Sequence, residues 1–330
     1  MKLRKYLKEL TFVCGLSLAL AAGCSGPASQ PNTTAPPEPK IQYLNIATGG
    51  GAGTYFPLGG ALATIVNSNL SGYSATAQIT GASVANVNSL KTGEAQIAFV
   101  QNDIAYYAVN QEEMFTDNKV DTLRGLATLY PETCQLVTLK KEIAAMSDLK
   151  GKKISVGAAG SGTEANARKI LAANGVTYDD ISVQYLSFGE SAQGLQDGSI
   201  DAAFVTAGYP TAAIAELSAS KEVIILPIAG AQADFLIAQY PFFTKTAIPA
   251  GTYTGQTKEV STVAVKAMLV VTADMPEDLA YGIVKSLYSN LDVMRMTHPV
   301  AEHIMPDSAR DGMSISLHPG AEKYFKEQGK

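Results

Sequence analysis

The stretch Tyr43-Leu44-Asn45-Ile46-Ala47-Thr48-Gly49-Gly50-Gly51-Ala52-Gly53-Thr54-Tyr55 decides how this chain folds. Its first five residues read as a strand and Pro57 to Val66 as a helix, so the glycines occupy a strand-to-helix turn. Without a Cβ, the backbone there can approach a ligand closely. The helix that follows opens with unpaired N–H groups and the positive end of its dipole, which suits an anion.

A second such turn, Gly157-Ala158-Ala159-Gly160-Ser161-Gly162-Thr163, follows the strand Lys153-Ile154-Ser155-Val156. A tight turn with no ligand is the plain alternative for one such loop, and its recurrence argues against that reading. Two anion turns in separate halves of one chain imply a ligand held between two lobes. A Walker loop is excluded, because no Lys-Ser or Lys-Thr pair follows the glycines. A dinucleotide fingerprint counted from Gly49 or Gly51 meets Thr54 or Phe56 where its third glycine belongs.

The N-terminus reads as an export signal. Lys2, Arg4, Lys5 and Lys8 precede an apolar core from Thr11 to Ala22, which is short for a membrane span. Leu20-Ala21-Ala22-Gly23-Cys24 looks like a lipobox, with Cys24 as the lipid-modified residue and residues 1–23 as the lipoprotein signal peptide. An ordinary cleaved signal peptide is the alternative. Residues 24–40, rich in Pro, Ser and Thr, predict a flexible tether. The mature protein is therefore expected outside the cytoplasm, in the periplasm or on the cell surface.

The whole chain carries −5; residues 1–23 hold four Lys/Arg and one Glu, a net of +3, so the remainder carries −8. That balance argues against a nucleic-acid partner. Beyond Cys24 only Cys134 remains, so no disulfide forms within the folded body, and Cys134 is expected to pack as a small apolar group. About 290 residues exceed one typical core and favour two domains.

Strand and helix signals alternate, which predicts an α/β chain with mostly parallel strands. Expected strands are Tyr43–Ala47, Ala75–Ile79, Ile97–Val100, Lys153–Val156, Gln184–Ser187 and Asp201–Val205. The turns Thr80–Ser83, Gln101–Asp103 and Thr206–Pro210 all follow strand carboxyl ends, where ligands bind in open α/β sheets. Strands near Leu136 and at Val263–Val271 are expected to cross between the lobes. Gly93-Glu94-Ala95-Gln96-Ile97-Ala98-Phe99-Val100 is echoed by Gly198-Ser199-Ile200-Asp201-Ala202-Ala203-Phe204-Val205, as though one substructure serves each lobe.

These motifs, in order, resemble the TAXI family of TRAP-transporter solute-binding proteins. The resemblance rests on the lipobox, the glycine loop, Thr80-Gly81-Ala82-Ser83-Val84-Ala85-Asn86, the Phe99-to-Tyr107 segment and Gly160–Glu164. Pro249-Ala250-Gly251-Thr252-Tyr253 and His318-Pro319-Gly320-Ala321 extend it across roughly residues 43–325. It implies a two-lobed type II periplasmic-binding-protein fold, with the cleft between lobes joined by two hinge strands. Lobe 1 would comprise 41–136 plus 265–330, and lobe 2 residues 137–264. It also implies capture of a small carboxylate, glutamate or 2-oxoglutarate among them, and delivery to a Na⁺-coupled TRAP membrane permease.

A carboxylate accepts hydrogen bonds from backbone N–H and hydroxyl groups, with no buried cation required. The expected ligand residues are Gly53, Thr54, Tyr55, Ser83, Gln101 and Asn102 from the first lobe. Ser161, Gly162, Thr163, Thr206 and Gly208 are expected from the second. Tyr55 is expected to stack on the ligand or to donate its hydroxyl. Arg168 is the nearest cation, and a solvated helix charge is its plainer reading. Asp103 reads as a contact to a ligand amine or as a helix-start residue, and Asp201 as a turn orienter or a lysine partner. Tyr106 and Tyr107 are expected to pack inside the first lobe.

An enzyme is the rival class. A nucleophile elbow reads Gly-x-Ser-x-Gly, but Ser161 has Ala159 and Thr163 at the glycine positions. His298, His303 and His318 lie near the C-terminus, without metal-ligand spacing. No cofactor, metal or catalytic residue is expected. A lipoprotein that feeds a sensor kinase would use the same cleft and is the alternative role.

Overall fold

The structure, a computed structural model, describes residues 41–330. The expected signal peptide, Cys24 and the tether lie outside the described residues. β1 (Gln42–Ala47), α1 (Tyr55–Asn69), β2 (Tyr73–Gln78), α2 (Ser83–Thr92), β3 (Ile97–Gln101) and α3 (Asn102–Asn110) alternate through the first half. The long β4 (Leu123–Thr138) leads out of it. The second half holds β5 (Lys153–Ser155), α4 (Gly162–Ala173), β6 (Ser182–Gln184), α5 (Phe188–Asp197), β7 (Ala202–Ala207), α6 (Ala212–Ser218), β8 (Ile224–Leu226), α7 (Gly230–Gln239) and β9 (Thr244–Ile248). β10 (Val260–Thr272) returns, and α8 (Glu277–Ser289), α9 (Leu291–Thr297) and α10 (Pro319–Glu327) complete the first half.

The strands form one sheet in the order β2-β1-β3-β10-β4-β7-β5-β6, with β8 on β4 and β9 on β10. Within each outer trio the pairing is parallel, as alternation with helices predicts. The expectation of mostly parallel strands is corrected at the centre, where β4 and β10 run antiparallel to their neighbours and to each other. One strand must leave the first half and another return, so the crossing pair points both ways. Two apolar clusters cover the faces of the first half, one around Leu62, Phe99 and Phe325, the other around Val87, Val100 and Phe115. Two more cover the second half, around Ile154, Ile170 and Phe243 and around Leu195, Val205 and Ile214.

Two boundaries differ from expectation for local reasons. Gln184–Ser187 is a strand only to Gln184, because the Ser187 hydroxyl accepts from Glu190 N–H and caps α5 instead. β4 begins at Leu123, far upstream of Leu136, and tolerates Pro131 because its ladder with β10 is irregular there, between Lys266 and Met268.

The His318-Pro319-Gly320 motif is a structural joint. His318 Nδ1 accepts from Gly320 N–H at 3.2 Å and its Nε2 lies 3.0 Å from the Met275 carbonyl, so the ring fixes the start of α10. A Cβ on Gly320 would lie 2.2 Å from the Glu277 carbonyl oxygen and 2.7 Å from Tyr281 N, backbone atoms of the α8 region that cannot step aside. Gly320→Ala is therefore expected to destabilise the fold by on the order of 3 kcal/mol, read as a lower urea midpoint. An unchanged midpoint would show that the two helices are free to part.

Candidate functional site

The turns at the strand carboxyl ends converge on one cleft of about 560 Å³, partly open to solvent. Four helices point their N-termini at it: α1 through Gly53-Thr54-Tyr55, α2 through Ala82-Ser83, α4 through Ser161-Gly162-Thr163 and α5 through Ser187-Phe188. The first amides of each helix have no partner within it. The cleft lining contains no Lys, Arg or His, so its positive potential comes from peptide dipoles alone.

Local chemistry fixes these turns. Asn86, fully buried on α2, donates its side-chain amide to the Thr48 and Phe99 carbonyls at 2.6 and 2.7 Å and accepts from the Thr80 hydroxyl at 2.5 Å. The ends of β1 and β3 and the turn after β2 are thereby tied together. Across the cleft, Gln135 accepts from the Tyr253 hydroxyl at 2.6 Å and donates to the Thr211 hydroxyl at 2.9 Å, which in turn donates to the Gly208 carbonyl. The Pro249–Tyr253 motif thus holds the Thr206–Thr211 turn and does not line the cleft. No glycine from Gly49 to Gly53 has a positive φ, whereas Gly157 and Gly160 do, at 99° and 75°. The first loop uses glycine for close approach: a Cβ on Gly53 would stand 3.3 Å from the Phe188 ring.

Of the eleven expected ligand residues, Gly53, Thr54, Tyr55, Ser83, Gln101, Ser161, Gly162, Thr163 and Thr206 line the cleft. Asn102 and Gly208 do not. Asn102 turns away from β3 to accept from Lys266 N–H and donate to the Gly312 carbonyl, both at 3.1 Å. Gly208 packs on Val300, and its carbonyl accepts from Thr54 Oγ1 at 3.1 Å. Thr54 therefore joins the two halves with its hydroxyl. Tyr55 packs against Phe99 and donates its hydroxyl to Glu132 at 3.0 Å, so that hydroxyl is already engaged. Arg168 pairs with Glu164 at 2.5 Å and lies over the Tyr178 ring, away from the cleft lining.

Other expectations divide similarly. Asp103, at the start of α3, is buried and accepts from Asn166 of α4 at 2.9 Å. Burial pushes its carboxyl up to about 6, against the pull of nearby Lys169. Asp201 pairs with Lys140 and accepts from Lys153 N–H. Tyr106 and Tyr107 pack in the first-half cluster around Val87 and Phe115, as expected, and their rings also meet Phe242 of the second half. Cys134 is buried, and burial pushes its thiol up to about 12.

Sequence reasoning missed Glu132, the one carboxylate in the cleft lining. It is 2% exposed, and burial raises its carboxyl to about 8 while Tyr55 and Gln101 oppose the rise. The Gln101 amide lies beside it without a hydrogen bond of good geometry, and Gln101 Oε1 is buried with no partner among the described residues. A lone carboxylate between Leu129 and Leu136, next to the strand expected near Leu136, was the available signal.

Further contacts close the cleft's flanks. Val84 and Ala85 N–H both donate to the Gly160 carbonyl, at 3.1 and 3.2 Å. Lys169 reaches Glu113 at 3.2 Å and sits over the Tyr107 and Tyr240 rings.

This architecture, two αβα halves joined by two crossing strands over a cleft, is that of two-lobed type II periplasmic solute-binding proteins. Residues 46–329 match the NMT1-like family, and the chain belongs to it. A Bordetella bronchiseptica RB50 protein superposes with a TM-score of 0.56 at 13% identity, over 87% of this chain and 98% of that one. A structure described as a periplasmic transporter gives 0.51 at 13% identity, over 86% and 92%. A TRAP periplasmic solute-binding protein from Shewanella oneidensis with bound succinate gives 0.47 at 12% identity, over 87% and 91%.

Proposed function

We propose that this protein is an extracytoplasmic solute-binding lipoprotein of a TAXI-type TRAP transporter, anchored through Cys24. It captures a small carboxylate in the cleft and delivers it to a Na⁺-coupled membrane permease; it does not catalyse. The observation that carries the reading is the convergence of four helix N-termini on a cleft lined by no basic side chain. The ligand's carboxylate would accept from the opening amides of α1 and α4 and from the Ser83 and Thr163 hydroxyls. Closure brings lobe 1 (41–136 and 265–330) against lobe 2 (137–264) about β4 and β10, and a solute that contacts both walls shifts that equilibrium.

A thermal-shift screen of the purified protein against dicarboxylates, 2-oxo acids and amino acids tests the proposal. A true ligand at 100 times its dissociation constant adds about 2.7 kcal/mol of stability. A response to neutral or cationic solutes but to no carboxylate would overturn the reading. Thr163→Ala should weaken binding about tenfold, the loss of one well-placed hydrogen bond to a charge. Ser83→Ala should do the same and also lower stability by about 1 kcal/mol, since the buried Gln101 N–H loses its acceptor.

A further inference from the structure

The cleft is electrostatically two-ended. Helix N-termini supply positive potential over most of its wall, yet a single carboxyl group, Glu132, stands on it from within β4. The ionisable groups that bear on Glu132 are Tyr55 from α1, Asp103 from α3, and Tyr130 and Cys134 from its own strand. None is a cation. Its ladder partner on β10 is Val265, and from β7 the cleft receives Thr206 and Ala207, all uncharged. The protein places no cation beside an ionised Glu132, only the Tyr55 hydroxyl, and a buried charge without a counter-ion is costly. Next to it, Gln101 Oε1 is a second acceptor that is 2% exposed as a residue and receives no hydrogen bond. Once Glu132 ionises, two buried acceptors stand side by side and match a group with several N–H donors.

We propose that Glu132 is the counter-ion for a ligand ammonium group, so that the solute is an α-amino acid whose carboxylate meets the helix N-termini and whose amino group meets Glu132 and Gln101 Oε1. The inference rests on the carboxylate reading above and narrows it to zwitterions. In the empty cleft the Glu132 carboxyl, with its pKa near 8, holds its proton at neutral pH. An arriving –NH₃⁺ favours the carboxylate, and the displaced proton leaves to solvent. Binding at pH 7 therefore releases about 0.9 proton. Amino-acid affinity rises several tens of fold from pH 6 to pH 8 as the proton to be displaced is lost.

The test is calorimetric titration of the full chain with L-glutamate, L-leucine and L-alanine, each beside the 2-oxo acid of the same skeleton. Buffers of different ionisation enthalpy count the protons. At least one amino acid is expected to bind more tightly than its 2-oxo acid, with proton release. Glu132→Gln is expected to weaken that amino acid at least 100-fold at pH 8, at least tenfold more than its 2-oxo acid, and to abolish the release. Should the variant fold poorly, proton release and the pH slope of the native protein decide alone. Binding of 2-oxo acids in preference, with affinity falling as pH rises, would mean that protonated Glu132 donates to a carboxylate; the amino-acid inference is then overturned and the carboxylate reading stands. Binding of no carboxylate at all overturns both.

Discussion

Replacing Gly162 by alanine is expected to abolish solute capture while leaving the unliganded protein folded. Gly162 opens α4 on the second half of the cleft, and Gln101 ends β3 on the first. An added Cβ at Gly162 would lie 2.1 Å from Gln101 Oε1 and 2.4 Å from its Cδ. The Gln101 amide is buried beside Glu132 and has little room to withdraw. Alanine at the first position of a helix carries no local penalty, so α4 itself is unharmed. The clash arises only where the two halves meet. Solute affinity should fall at least 100-fold, about 2.7 kcal/mol. The chemical-denaturation midpoint should fall only modestly, because parting the two halves relieves the clash without unfolding either. Gln101→Ala in the same background should recover part of the affinity by making space. Native affinity in the single variant would show that the bound state does not bring these residues together.

The second large effect concerns stability without any solute. Glu132→Gln is expected to stabilise the unliganded protein, increasingly so as pH rises. Burial raises the folded carboxyl to about 8, above its ordinary value of 4.5. A carboxyl raised in the folded state favours folding below the unfolded pKa, and that favour is lost as pH climbs through the folded one. Glutamine never ionises and escapes the loss. At pH 9 the difference is on the order of 4 kcal/mol, shrinking toward zero near pH 4. Asp103, raised to about 6, adds a smaller loss in the same direction below pH 7 in both proteins. Urea midpoints of the two proteins from pH 5 to pH 9 supply the measurement. Parallel profiles would mean that Glu132 is not buried as an acid. Such a residue lowers stability where it enables function, a common feature of binding sites.

The legible part of the fold was local. Glycine turns after apolar runs, and the Ser or Thr that opens the next helix, disclose strand carboxyl ends without any long-range information. Nine expected ligand residues lie in the cleft lining because they belong to such turns. The two that fell outside, Asn102 and Gly208, each adjoin a lining residue; one step along the backbone turns the Asn102 side chain away, and Gly208 packs on Val300. Glu132 was hidden for another reason. Gly125 and Pro131 break the strand pattern of β4, and pairing with β10 draws the segment around Glu132 into the sheet. The ladder partner of Glu132, Val265, lies more than a hundred residues away. The same distance hid the role of Tyr253, whose motif is conspicuous in the sequence but whose hydroxyl works on Gln135.

The bond between α2 and the Gly160 carbonyl has a consequence for idle molecules. Val84 and Ala85 spend their N–H groups on the opposite half of the protein, and no solute takes part in that contact. Contact between the halves therefore has a holding force of its own. A few kcal/mol of such force sets a standing fraction of empty molecules that are already shut. Those decoys would present the loaded shape with nothing inside, and a membrane partner that senses shape alone would be occupied by them. Under the proposed function, the membrane partner must therefore read its cargo by some means beyond the outline of its carrier.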